Sequence, residues 1–148
     1  MDATQWQERI TAELAGLGQQ EFVIIAEPAP PAPEPTGIFA RLRSKASRSA
    51  PPSRWGQVLC VDSVLYAEFA GTQHIGGTWE SSAEQHEALR AAGWLTPDET
   101  DPIAPAPRVP HYWRTVPRAE AALVARLLVD AFGILGADLA TLTLERDR

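Results

Sequence analysis

Three histidines, His74, His86 and His111, are the first residues to test for chemistry. An imidazole serves as a metal ligand or a general base when a second donor stands at a suitable spacing. None of the three is paired with a carboxylate or a cysteine in that way, so no metal site is expected. His86 reads as a half-buried packing residue on a helix face, and His111, beside Tyr112 and Trp113, as part of an aromatic cluster. Nucleophilic catalysis needs a Ser, Thr or Cys held against a base. The serines fall in caps, turns and a basic stretch, and no G-x-S-x-G elbow occurs. Asp98, Glu99 and Asp101 lie close together among prolines, as in a solvated turn. Gly71, Gly76 and Gly77 match neither a dinucleotide nor a Walker pattern. The residues therefore point to no catalytic set and no cofactor, and the chain is expected not to be an enzyme.

What remains are groups suited to contact. Trp6, Trp55, Trp79, Trp94 and Trp113 are a large aromatic payload for 148 residues, and most are expected in the core. Trp55 stands apart, because it closes a loop rich in proline and serine instead of joining a periodic run. It is the first candidate for a partner-binding anchor, followed by Tyr112 and Trp113. The second feature is basic: Arg41, Arg43, Lys45, Arg48 and Arg54 occur with no acid between Glu34 and Asp62. This reads first as a solvated loop, and alternatively as a contact for an anionic partner. Its Ser44, Ser47 and Ser49 are placed where phosphorylation would reverse the local charge. The whole chain carries −6, which argues against nucleic-acid binding by the domain at large.

Hydrophobic residues at 45% and charged residues at 22% are the balance of a globular protein. The length suits one domain over residues 1–148. No apolar run is long enough to span a membrane, and the N-terminus lacks the pattern of a signal peptide. The lone Cys60, inside Val58–Val61, reads as a buried thiol in a reducing cytoplasm.

The elements that must position these groups follow from periodicity. Trp6, Ile10, Leu14 and Leu17 share one helix face, with Thr4 and Gln7 as an expected capping box and Gly18 as the stop. Glu21–Glu27 reads as a strand. Residues 28–54, proline-rich and then basic, form a long excursion. Gln57–Asp62 and Leu65–Ala70 read as a hairpin, and Gln73–Glu80 as a further β-like piece. Ser82, with Gln85, caps a helix ending at Gly93. His111–Val116 is a strand, and Pro117 opens a helix that carries Ala121, Val124, Leu128 and Phe132 and stops at Gly133. Ala140, Leu142 and Leu144 alternate with polar residues in a closing strand. This order predicts an α+β fold with helices packed on a largely antiparallel sheet.

The run His86-Glu87-Ala88-Leu89-Arg90-Ala91-Ala92-Gly93-Trp94-Leu95-Thr96-Pro97-Asp98 resembles a signature of actinobacterial proteins of the TY-Chap group, which are similar to YbjN and to type III secretion chaperones. Tyr112-Trp113, the alanine-rich helix Arg118 to Phe132, and Phe132-Gly133-Ile134 extend the likeness, over about residues 56–146. The resemblance implies a secretion-chaperone-like fold that binds a peptide segment of another polypeptide without catalysis. Related chaperones often dimerise, so a homodimer is one arrangement to test. A binder of this kind is expected to carry an apolar patch of several hundred Å2, or a dimer that covers one. The alternative function is a regulatory module whose residues 41–54 contact nucleic acid or another anionic surface.

Overall fold

The structure is a computed structural model that describes residues 1–28, 54–75, 80–99 and 111–147. Five strands form one antiparallel sheet: β1 (Phe22–Ala26), β2 (Trp55–Val61), β3 (Val64–Ala70), β4 (Tyr112–Pro117) and β5 (Thr143–Asp147), in the order β4-β3-β2-β1-β5. Three helices join them: α1 (Ala3–Ala15), α2 (Ala83–Ala92) and α3 (Ala121–Ile134). The predicted α+β architecture is observed.

All three helices pack on one face of the sheet. The strands show why, because every second residue of β1, β2 and β3 is buried: Val23 and Ile25, then Gly56, Val58 and Cys60, then Leu65, Ala67 and Phe69. Side chains alternate between the two faces of a strand, so this set forms one wall of the core. Helix α3 is buried almost all round, from Ala121 to Phe132, and contacts both α1 and α2. It lies so close to β2 that a Cβ on Gly56 would stand 2.5 Å from Leu128 Cδ2. A larger residue there would have to push the Leu128 side chain aside.

The N-terminal capping box is shifted from the expected Thr4–Gln7 pair. Asp2 Oδ1 accepts from the Gln5 amide, and Gln5 Oε1 accepts from the Asp2 amide, so α1 starts two residues earlier. An aspartate accepts these bonds at least as well as a threonine. The Ser82–Gln85 box of α2 is as expected. The β2–β3 hairpin turns on Asp62 and Ser63, whose φ values of 51° and 63° are those of a tight type I′ turn. Gln73–Ile75 forms a single 3-10 turn where a strand was expected, and 76–79 lie outside the described residues. Helix α3 begins after a 3-10 turn at Arg118–Glu120, so Pro117 ends β4 instead of opening the helix. Gly133 does not stop α3, which runs to Ile134; the left-handed residue is Gly136, with φ of 76°.

One device recurs at the C-terminal ends of the helices. The last carbonyls of a helix have no partner inside it and carry partial negative charge. Here arginines from outside the helices supply the donors. Arg118 and Arg146 donate to Leu17 O and Gly16 O beyond α1, Arg114 to Gly93 O at the end of α2, and Arg54 to Leu135 O at the end of α3. All four guanidinium groups therefore turn toward the helical side.

Candidate functional site

The face of the sheet that no described helix covers, the helix-free face, remains. Its composition follows from the same alternation, and the register fixes its rows. One row runs Thr115–Tyr66–Leu59–Phe22, and the next runs Leu95–Trp113–Glu68–Gln57–Ile24–Glu145. A third places Ala70, Trp55 and Ala26 side by side. Phe22, Ile24, Trp55, Leu59 and Tyr66 are half-buried. Met1, at 53%, is the only large hydrophobic side chain among the described residues that is mostly exposed. The described apolar side chains of this face are half-buried and do not protrude.

The polar groups of this face are few and of one sign. Because the strand arginines turn toward the helices, the charged side chains described on it are those of Glu68 and Glu145, beside His111, and the register adds Asp147 opposite Phe22. Burial pushes the Glu68 carboxyl above the usual carboxylate range, and nearby His111 opposes that only in part. The His111 ring meets Trp55 edge-on at 5.0 Å. Two further polar atoms, His111 Nδ1 and Thr115 Oγ1, are buried without a hydrogen-bond partner.

Trp55, Trp113 and Tyr112, singled out in the sequence, occupy three different settings. Trp55 is the first residue of β2, within the alternating pattern rather than at the end of a loop, and stays half-buried on the helix-free face. Trp113 lies on the same face but is fully buried, and its indole N–H donates to Thr96 O at 2.8 Å. Tyr112 points to the opposite side, into the core, at 1% exposure. Of the basic residues, Arg54 belongs to the scaffold: it holds Glu27 Oε1 at 2.8 Å as well as Leu135 O, and it joins the two strands where residues 28–54 leave and return. Arg41, Arg43, Lys45 and Arg48 lie outside the described residues, as do Trp79 and the rest of the excursion from 29 to 53.

Two histidines that are far apart in sequence meet in space. His74 and His86 stack with centroids 4.8 Å apart. His86 Nδ1 lies 2.5 Å from Tyr112 Oη, which in turn lies 2.9 Å from Thr72 Oγ1. Burial first, and then His74, lowers the His86 pKa. His74 and His86 edge an open depression of about 510 Å3, which Arg90, Thr96 and Pro97 also line. The arrangement lacks a nucleophilic geometry, because Tyr112 stands between the imidazole and the buried Thr72 hydroxyl. No group of three His, Cys, Asp or Glu side chains able to hold a metal ion occurs among the described residues. A second depression, of about 600 Å3, lies between α1 and the start of α3 and is lined largely by alanines. Nothing in the spacing of the sequence foretold the histidine pair, because it depends on the 3-10 turn at Gln73–Ile75 docking beside α2.

Among the described residues, no helix is long and apolar enough to cross a membrane. A family model described as "T3SS (YopN, CesT) and YbjN peptide-binding chaperone 3" matches residues 4–140. No curated protein and no solved structure matches the chain.

Proposed function

The chain belongs to that TY-Chap family of peptide-binding chaperones, and on this premise we propose that it holds an extended segment of a partner protein on the helix-free face of its sheet. The observation that carries this reading is the one-sided packing. Every described helix covers the same face, while the other presents Phe22, Leu59, Tyr66, Ile24 and Trp55 in adjacent rows. A pleated surface with alternating apolar positions suits an extended chain, whose own side chains alternate with the same period. Strand β5 stands at the end of the described strand order, and in this reading its outer backbone groups pair with the main chain of the segment.

In this reading Trp55 is the contact aromatic. Trp113 is the wall behind Glu68, and Tyr112 supports the sheet from the core side. The role is binding without catalysis, in keeping with the chaperone family. The test is peptide binding by the full chain, followed by fluorescence anisotropy, with Leu59→Asp on the helix-free face and Ala122→Asp on the exposed side of α3. Binding lost in the first variant and kept in the second supports the reading. Equal binding by both variants, with unchanged circular dichroism, moves the site elsewhere.

A further inference from the structure

The bound segment can be described more closely, in an argument that rests on the peptide-binding reading. The helix-free face carries acids and no arginine or lysine among its described residues, because the strand arginines are drawn to helix ends on the other side. Glu68 lies at the middle of that face, with Trp113 opposite it on β4 and Gln57 opposite it on β2. No described hydrogen bond or ion pair holds its carboxylate. Among the described residues, His111 is the one titratable group that acts on it, and Arg114, the single charged residue of β2 and β4, turns to Gly93 O on the helical side. Trp55 is its diagonal neighbour, since Trp55 pairs with Ala70. Diagonal pairs on one face stand about 7–8 Å apart. A cation placed between carboxylate and indole then lies within the roughly 6 Å at which a ring attracts it.

From this juxtaposition we infer that the partner segment presents a lysine or arginine side chain to Glu68 and Trp55, so that the site selects basic over neutral or acidic peptides. A neutral peptide laid over Glu68 would strip water from the carboxylate without replacing it, which is costly. A basic side chain supplies the missing counter-charge, as expected where partners have complementary potentials. The same logic sets aside a second copy of the chain. A two-fold contact of this face with itself sets an acidic surface against an identical one, with no described lysine or arginine on either side to offset it, and like charges repel.

The experiment measures the full chain against short extended peptides that differ only at one central position, occupied by lysine, glutamine or glutamate. The lysine peptide is expected to bind about tenfold tighter than the glutamine peptide, with glutamate weakest. Glu68→Gln should bring the lysine peptide down to the glutamine level while the glutamine peptide keeps its affinity. Glu68→Lys should reverse the order in favour of glutamate, a gain that a misfolded chain cannot show. Equal affinities for the three peptides, or a lysine preference that survives Glu68→Gln, overturns the inference and leaves peptide binding intact. Failure of all three peptides to bind overturns both. A dimer in sedimentation that Leu59→Asp dissolves would assign the face to a second copy, and overturns the inference as well.

Discussion

Glu68 stands directly across from Trp113 in the β3–β4 register, on the face of the sheet that no described helix covers. A carboxylate beside a fully buried indole is partly dehydrated, which raises its pKa. The folded chain thus holds the proton more tightly than the unfolded one, and the sign of the effect on stability follows from that. Above the raised folded pKa the charged carboxylate is a full liability to folding. As pH falls through the folded pKa to the unfolded value, the liability disappears. Glu68→Gln is expected to stabilise the chain at neutral pH and to make no difference in acid. Urea midpoints for the two chains at both ends of that range check it. A destabilised Gln variant at neutral pH would mean that Glu68 is held by a favourable contact.

The same carboxylate makes binding depend on pH. A basic peptide side chain favours the charged form, so affinity for a lysine peptide should decline as pH falls toward the raised pKa of Glu68, and Glu68→Gln should flatten the profile. Titration of the affinity in the two chains checks it.

His86 gives the opposite sign for stability. Its pKa is lowered, chiefly by burial and next by the stacked His74, with Arg90 also lowering it and Glu87 and Glu99 opposing. The unfolded chain therefore binds the proton more readily. Stability is complete above the ordinary histidine pKa and declines as pH falls through it toward the lower folded value. Between about pH 8 and about pH 5, the denaturation midpoint should fall in the native chain, and fall less in His86→Gln. Equal slopes would show that the pair does not govern acid sensitivity.

The arginine caps predict large effects at positions that look like surface charge. Arg114→Ala removes the donor from Gly93 O, at 2.7 Å, and is expected to cost about 1–3 kcal/mol. Arg54→Ala leaves both Leu135 O and the Glu27 carboxylate without this partner, and should cost at least as much, about 2–4 kcal/mol. Chemical denaturation measures both. Any experiment that neutralises the basic stretch to test an anionic partner should therefore spare Arg54, since its loss weakens the fold itself.

Gly93 ends α2 with φ of 124°, and a Cβ there would meet Leu127 Cδ2 at 3.0 Å. Gly93→Ala should cost about 1–3 kcal/mol through backbone strain alone. It should also disturb Trp94, which follows in the core with its indole N–H on Leu127 O. A shift in buried tryptophan emission accompanies the lost stability if the glycine sets that geometry.

Much of the fold was legible in the sequence because it rests on period. The four-residue spacing of Trp6, Ile10 and Leu14 and the alternation in β2 and β3 are local, and they decide which face is buried. Gly93-Trp94 was readable for the same reason, as a stop followed by a large core residue. The site was less legible. Tyr112 and Trp113 are neighbours in sequence and so fall on opposite faces, which an exposed-aromatic reading merges. Arg54 looked like one member of a basic run, while its function is set by Glu27 and Leu135, distant in sequence. Glu68 carried no sequence signal at all. Its significance comes from the absence of described cations on its face, which depends on where four arginines point.

Mapping of the bound state by NMR shows whether the helix-free face holds the peptide. On addition of a saturating lysine peptide to the labelled full chain, shift changes are expected at Trp55, Leu59, Tyr66 and Glu68, with amide protection gained along β5 and the helices unchanged. Shifts confined to His74, His86 and the helix side of the sheet would contradict that placement.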